Sequence, residues 1–147
     1  MPQDLSLNPS AKCTILADLD IQNLNKVLES LPVEWPKFAL GQELSNILFS
    51  EGVNRTIVAR QWLETTLIGK APGPVICTDI DLLFEPSLAL DPLVIFRQIA
   101  RHTTLVILWP GSYEDSVLSY ATPEHKHYRF WRNPQDIDII GVSDALQ

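Results

Sequence analysis

The sequence predicts an α/β fold, a mainly parallel central sheet with helices on both faces, in a single domain over residues 1–147. Three observations point there. Short unbroken apolar runs recur at 12–17, 75–78 and 104–109, and unbroken runs, unlike alternating ones, mark strands buried on both faces. Amphipathic stretches of helical spacing separate them, as the crossovers of a parallel sheet require. Two acids, Asp79 and Asp81, stand just past the middle run, where the C-terminal tip of a parallel strand presents side chains to a ligand.

The elements follow in order. Residues 1–11 are polar with two prolines and read as a loose N-terminal arm, and 12–17 is the first strand. Ile21, Leu24, Leu28 and Leu31 recur at helical spacing, with Asp20 as N-cap and Pro32 as the stop. Residues 37–40 form a short second strand closed by Gly41. Helices are predicted over 42–51, ended by Gly52, and over 57–67. Gly69-Lys-Ala-Pro-Gly-Pro74 is a turn, and 75–78 is the third strand. Asp91 caps a helix with Pro92 at its first position, and 105–109 is the fourth strand, broken by Pro110-Gly111. The remainder reads as irregular until a short edge strand at 137–140.

Composition narrows the function classes. At 147 residues, 46% hydrophobic and 20% charged, the chain can bury a core without staples. Its apolar runs are far shorter than the roughly 20 residues that span a bilayer. The N-terminus has neither a basic nor an apolar signal region, so no membrane association and cytoplasmic residence are expected. Cys13 and Cys77, each inside an apolar run, read as buried reduced thiols. The net charge of −7 disfavours direct nucleic-acid binding. Charge is uneven, however: residues 97–132 carry 5 basic and 3 acidic groups, against 6 and 12 over residues 1–96. Ordinary solvated surface with local salt bridges accounts for this interruption, and a dedicated anion or nucleic-acid patch is the sharper alternative.

Acids at a strand tip suggest a magnesium-dependent nucleotide site, with Thr78, Asp79 and Asp81 as oxygen ligands. Such a site needs a phosphate cradle upstream, built from glycines, a lysine and a hydroxyl. The pattern G-x-x-x-x-G-K-[ST] is absent, and no glycine precedes Gly41. The first strand instead leads into Ala17-Asp-Leu-Asp20, whose carboxylates would repel a triphosphate, and Lys26 stands a helical turn too deep. The alternative for Asp79 and Asp81 is local capping of the following turn. No nucleophile elbow is present, and His125-Lys-His127 lacks further ligands for zinc. Tyr120, Tyr128, Phe130 and Trp131 interleave with Lys126, Arg129 and Arg132, either as a stacking surface or as packing that anchors the C-terminal segment.

The segments Phe38-Ala-Leu-Gly-Gln-Glu-Leu44, Asp79-Ile-Asp-Leu-Leu-Phe84, Pro86-Ser-Leu88, Asp91-Pro-Leu93, Ala100-Arg-His-Thr103, Trp109-Pro-Gly111 and Leu118-Ser-Tyr-Ala121, continuing to His125 and Tyr128, stand in this order. In them the chain resembles the BrxF family of small P-loop proteins from BREX phage-defence systems, notably type 3, over residues 38 to 130. That resemblance implies a P-loop fold, a defence-complex setting, and a metal- or water-polarising role for Asp81. The chain departs from the family at the first strand and turn, where the Walker A glycines, lysine and hydroxyl are missing.

The expectation is therefore a non-hydrolysing, pseudo-ATPase-like accessory or scaffold component of an antiphage complex, acting through protein partners and without a cofactor. Arg129, Arg132, Trp131 and Tyr128 are its candidate interaction residues, and self-association is left open. The rival readings are a divergent ATPase that uses Asp79 and Asp81 with ATP and Mg²⁺, and a nucleic-acid-sensing module.

Overall fold

The computed structural model describes residue 7, residues 10–50 and residues 54–142. Among these residues eight strands and four α-helices follow one another as β1 (Cys13–Ala17), α1 (Ile21–Ser30), β2 (Lys37–Ala39), α2 (Leu40–Ser50), α3 (Arg55–Ile68), β3 (Val75–Thr78), α4 (Pro92–Ile99), β4 (Leu105–Trp109), β5 (Gly111–Glu114), β6 (Val117–Tyr120), β7 (Arg129–Arg132) and β8 (Asp138–Gly141). Two 3-10 turns, Asp81–Phe84 and Pro86–Leu88, join β3 to α4.

Five strands form one sheet in the order β2-β3-β4-β1-β8, and every pairing in it is parallel. The three runs that predicted the fold, β1, β3 and β4, are its centre. Their side chains alternate between two cores. On one face Leu16, Ile76, Val106 and Leu108 pack with Leu24, Val27 and Leu31 of α1. On the other, Ile15, Cys77, Ile107 and Trp109 pack with α2, α3, α4 and the 3-10 turns through Leu44, Leu63, Phe84 and Phe96. Among the described residues both faces are thus covered, the first by α1 and the second by α2, α3 and α4. Burying a side chain of Leu or Phe size contributes about 1.5–3 kcal/mol, so these two layers carry most of the hydrophobic stabilisation.

Local chemistry explains the helix ends. Asp20 caps α1 by accepting from the Gln22 amide at 2.9 Å. Asp91 caps α4 by accepting from Leu93 and Val94, with Pro92 at the first position as predicted. Gly41 does not close β2; it lies inside α2, which starts at Leu40. Its amide donates to the Asp79 carbonyl at 2.7 Å, and a Cβ there would lie 2.5 Å from that oxygen. Gly41 is glycine because the β3 tip leans on the start of α2. The predicted stop at Gly52 and most of the predicted arm (1–6, 8 and 9) lie outside the described residues; Leu7 packs on the α1-side core.

The expectation of an irregular segment after Pro110 is corrected. Residues 111–132 form a three-stranded antiparallel sheet in the order β5-β6-β7. Trp109, at the end of β4, ties it down: its Nε1 donates to the Ser119 carbonyl at 2.9 Å. Phe84 stacks face to face on Tyr120 at 3.7 Å, and Trp131 meets Trp109 edge-on at 5.5 Å. A Cβ on Gly111 would drive into the Ser119 carbonyl, so the tight β5–β6 approach requires glycine there. The chain then returns to the parallel sheet as β8, the edge strand predicted at 137–140, displaced by one residue.

Candidate functional site at the C-terminal edge of the parallel sheet

Because β4 lies between β1 and β3, the β1–α1 turn and the β3 tip open along the same edge of the sheet. Parallel strands direct ligands to that edge. A cleft of about 310 Å³ lies there, between α1 and the ends of β3 and β4. Ile21, Leu24 and Leu28 form its apolar wall, and Thr78, Asp79 and Asp81 its polar wall. The sequence-predicted acids are thereby brought together.

Only three residues, Asp18, Leu19 and Asp20, separate β1 from α1. The Asp18 amide donates to the Trp109 carbonyl at 3.1 Å, extending the β1–β4 ladder by one step. Its carboxylate is 7% exposed and turns back on the chain, with Oδ1 accepting from the Asp20 amide at 2.7 Å and Oδ2 from Asn23 Nδ2 at 3.1 Å. Asp20 takes the Gln22 amide, and its carbonyl accepts from the amides of Asn23 and Leu24. The amides of Asp18, Asp20 and Gln22, at the place where a phosphate loop would hold an anion, are bonded to this chain's own oxygens. Leu19 and Ile21, 53% and 62% exposed, stand at the mouth of the turn.

At the β3 tip, Asp79 adopts a left-handed conformation (φ 56°), a region Asp tolerates better than most residues. Its carbonyl receives Gly41, and its side chain is exposed. Asp81 opens the first 3-10 turn, and its Oδ1 accepts from the Tyr120 hydroxyl at 2.6 Å. Burial, reinforced by that bond to Asp81, pushes the Tyr120 phenol well above its ordinary range, so it stays a donor at neutral pH. Tyr120 is the residue that reasoning from sequence missed as a partner of the acidic tip. It lies 39 positions away, and only the antiparallel sheet brings it there. One Asp81 oxygen is committed to this bond, and among the described residues no three His, Cys, Asp or Glu side chains cluster in a metal-ligating arrangement.

The predicted interaction residues separate into two sides of β7. Arg129 and Trp131 face the domain. Arg129 donates to the Leu90 carbonyl at 2.8 Å and lies over the Trp131 ring, while Trp131 Nε1 donates to Asp91 at 3.3 Å. Phe130, 48% exposed, and Arg132 stacked over it at 5.4 Å face outward. Tyr128 is half-buried beside Phe130. His125 accepts the His127 amide at 2.9 Å, and His127 lies 3.9 Å from Glu85. Cys13 and Cys77 are free and buried, as expected, and burial pushes each thiol up to about 12. No helix among the described residues is long and apolar enough to cross a membrane.

No family model, no curated protein and no solved structure matches this chain.

Proposed function

We propose that the protein is a non-hydrolysing, P-loop-like domain that serves as an accessory or scaffold subunit of a cytoplasmic, BREX-like antiphage complex. The observation that carries the reading is the β1–α1 turn. It is three residues long, with the Asp18 amide bonded to the Trp109 carbonyl, the Asp20 amide to Asp18, and the Gln22 amide of α1 to Asp20. A phosphate cradle needs a longer loop with free inward amides and a lysine. These residues do not fit ATP–Mg²⁺, and no hydrolytic step is derived through it. The resemblance to the BrxF family supplies the defence setting. A scaffold role is supported by Phe130 and Arg132, exposed on β7, which among the described residues pairs only with β6 and so presents an outer edge to a partner.

The rival reading, a Mg²⁺-dependent ATPase subunit, draws on Asp79 and Asp81 lining one cleft. Calorimetry with ATP and Mg²⁺ separates the two. No saturable heat at sub-millimolar ATP is expected; saturable heat that disappears in Asp81→Ala would establish the rival. The scaffold reading has its own test in Phe130→Ala combined with Arg132→Glu. This variant should melt near the parent, yet lose co-purification with the products of neighbouring defence genes and lose phage protection. Normal protection would remove this surface from the account.

A further inference from the structure

The opposite, N-terminal edge of the parallel sheet carries a second cleft, of about 480 Å³, with different chemistry. Lys12, immediately before β1, faces it together with Arg97 and Arg101 of α4 and its C-terminal turn, Gln98, and Asp136 from the β7–β8 connection. Three of the chain's eleven Lys and Arg residues therefore converge on one hollow of a protein with net charge −7.

Among the described residues none of the three has an ion-pair partner. No carboxylate among the described residues lies within 4.0 Å of any of them, Asp136 included; the ion pair that does form at that distance, His127 with Glu85, is elsewhere. Arg97 makes one long bond, to the Gln135 carbonyl at 3.4 Å. The negative end of the α4 dipole favours a cation in its last turn, which accounts for Arg97 but not for Lys12 on a separate element. Arg97 and Arg101 are four residues apart and so share one side of the α4 terminus. Two guanidinium forks with an ammonium opposite suit a tetrahedral oxyanion, the forks binding pairs of oxygens and the lysine acting as a point charge.

We propose that this cleft is an anion site that receives the phosphate group of a small ligand. Its size falls within the range of small-molecule sites. A long nucleic-acid backbone is disfavoured, because beyond the cleft it would run over a protein with net charge −7. The site is independent of the acidic edge and lies at the other end of the strands from where a P-loop would hold nucleotide.

The test is a two-dimensional amide NMR titration at low salt with inorganic phosphate, pyrophosphate and adenosine monophosphate as separate probes. Saturable shifts confined to residues near Lys12, α4 and Asp136 are expected. They should weaken at least tenfold in Arg97→Gln/Arg101→Gln and be unchanged in Asp79→Asn/Asp81→Asn. Equal binding of phosphate and the nucleotide would support a site that reads the phosphate alone, and tighter nucleotide binding one that also reads its carrier. Arg101→Gln, at an exposed position, provides the same readout should the double variant fold poorly. Absence of saturable shifts with all three probes, or full binding by the folded double variant or, should that fail to fold, by Arg101→Gln, would overturn the proposal.

Discussion

The two sheets of this molecule are held by different means. In the parallel sheet, β1 and β4 bury every side chain between two helical layers, so its stability is spread over many ordinary apolar contacts. The antiparallel sheet sets one side against the domain and hangs on a compact aromatic joint of Trp109, Phe84, Tyr120 and Trp131. A spread hold loses a little with each change. A concentrated hold loses much at one residue, and then locally.

That contrast is open to direct attack. Trp109→Ala should have the largest effect, about 3–5 kcal/mol by analogy with other buried aromatic truncations, measured by urea unfolding. In hydrogen exchange, β5–β7 amides should lose protection before those of β1. Ile107→Val, on the same strand, should cost only about 0.5–1.5 kcal/mol. Uniform loss of protection across both sheets in Trp109→Ala would show one joint hold instead of two.

Alkaline pH presses first on the parallel sheet, because a thiol's ordinary value of 9.0 lies below the 10.0 of a phenol such as Tyr120. The buried thiols of Cys13 and Cys77 ionise near about 12 in the fold, against 9.0 ordinarily. Above pH 9 the unfolded chain therefore releases those protons first, so stability is intact below the ordinary value and falls as pH rises toward about 12. At about pH 10 the loss should be on the order of 1 kcal/mol per thiol. Cys13→Ala/Cys77→Ala, although less stable near neutrality, should show a shallower alkaline decline. An equal slope would mean that the thiols do not set it.

A small effect is also expected of Tyr120→Phe. It keeps the stack on Phe84 and removes only the bond to Asp81, whose exposed carboxylate regains water. About 1 kcal/mol is expected, with amide shifts at residues 78–81. A cost several times larger would place the antiparallel sheet's main hold on the acidic tip instead of on the aromatic joint.

The same contrast governs what could be read from the residues. Strands buried on both faces appear as unbroken apolar runs, so β1, β3 and β4 were legible almost to the residue, and Asp20 and Asp91-Pro92 announced their helices. The antiparallel sheet hid because its turns lack the usual signals. The β5–β6 loop is two residues, Asp115 and Ser116, with φ of 51° and 63°; such turns are ordinarily marked by Asn-Gly or another glycine pair. Phe130 and Trp131 were read as one tract, whereas strand alternation sends them to opposite sides. Asp79 and Asp81 were legible as a strand tip, but the hydroxyl that binds Asp81 arrives from a distant strand. In the basic cleft, Arg97 and Arg101 stood out in the charge count. Lys12 joins them only because parallel pairing starts β1 and β4 at the same edge.

The indole pair of the joint also makes the molecule report on itself in polarised light. Trp109 and Trp131 stand 5.5 Å apart with their planes at 77°, close and crossed enough for their electronic transitions to couple. Two coupled, crossed chromophores split into bands of opposite circular dichroism. The folded protein is therefore expected to show an optical couplet that belongs to the contact between β4 and β7 and not to the helices. Detaching the antiparallel sheet extinguishes that couplet while leaving the helical bands in place, so the association of the two sheets can be followed with no label attached.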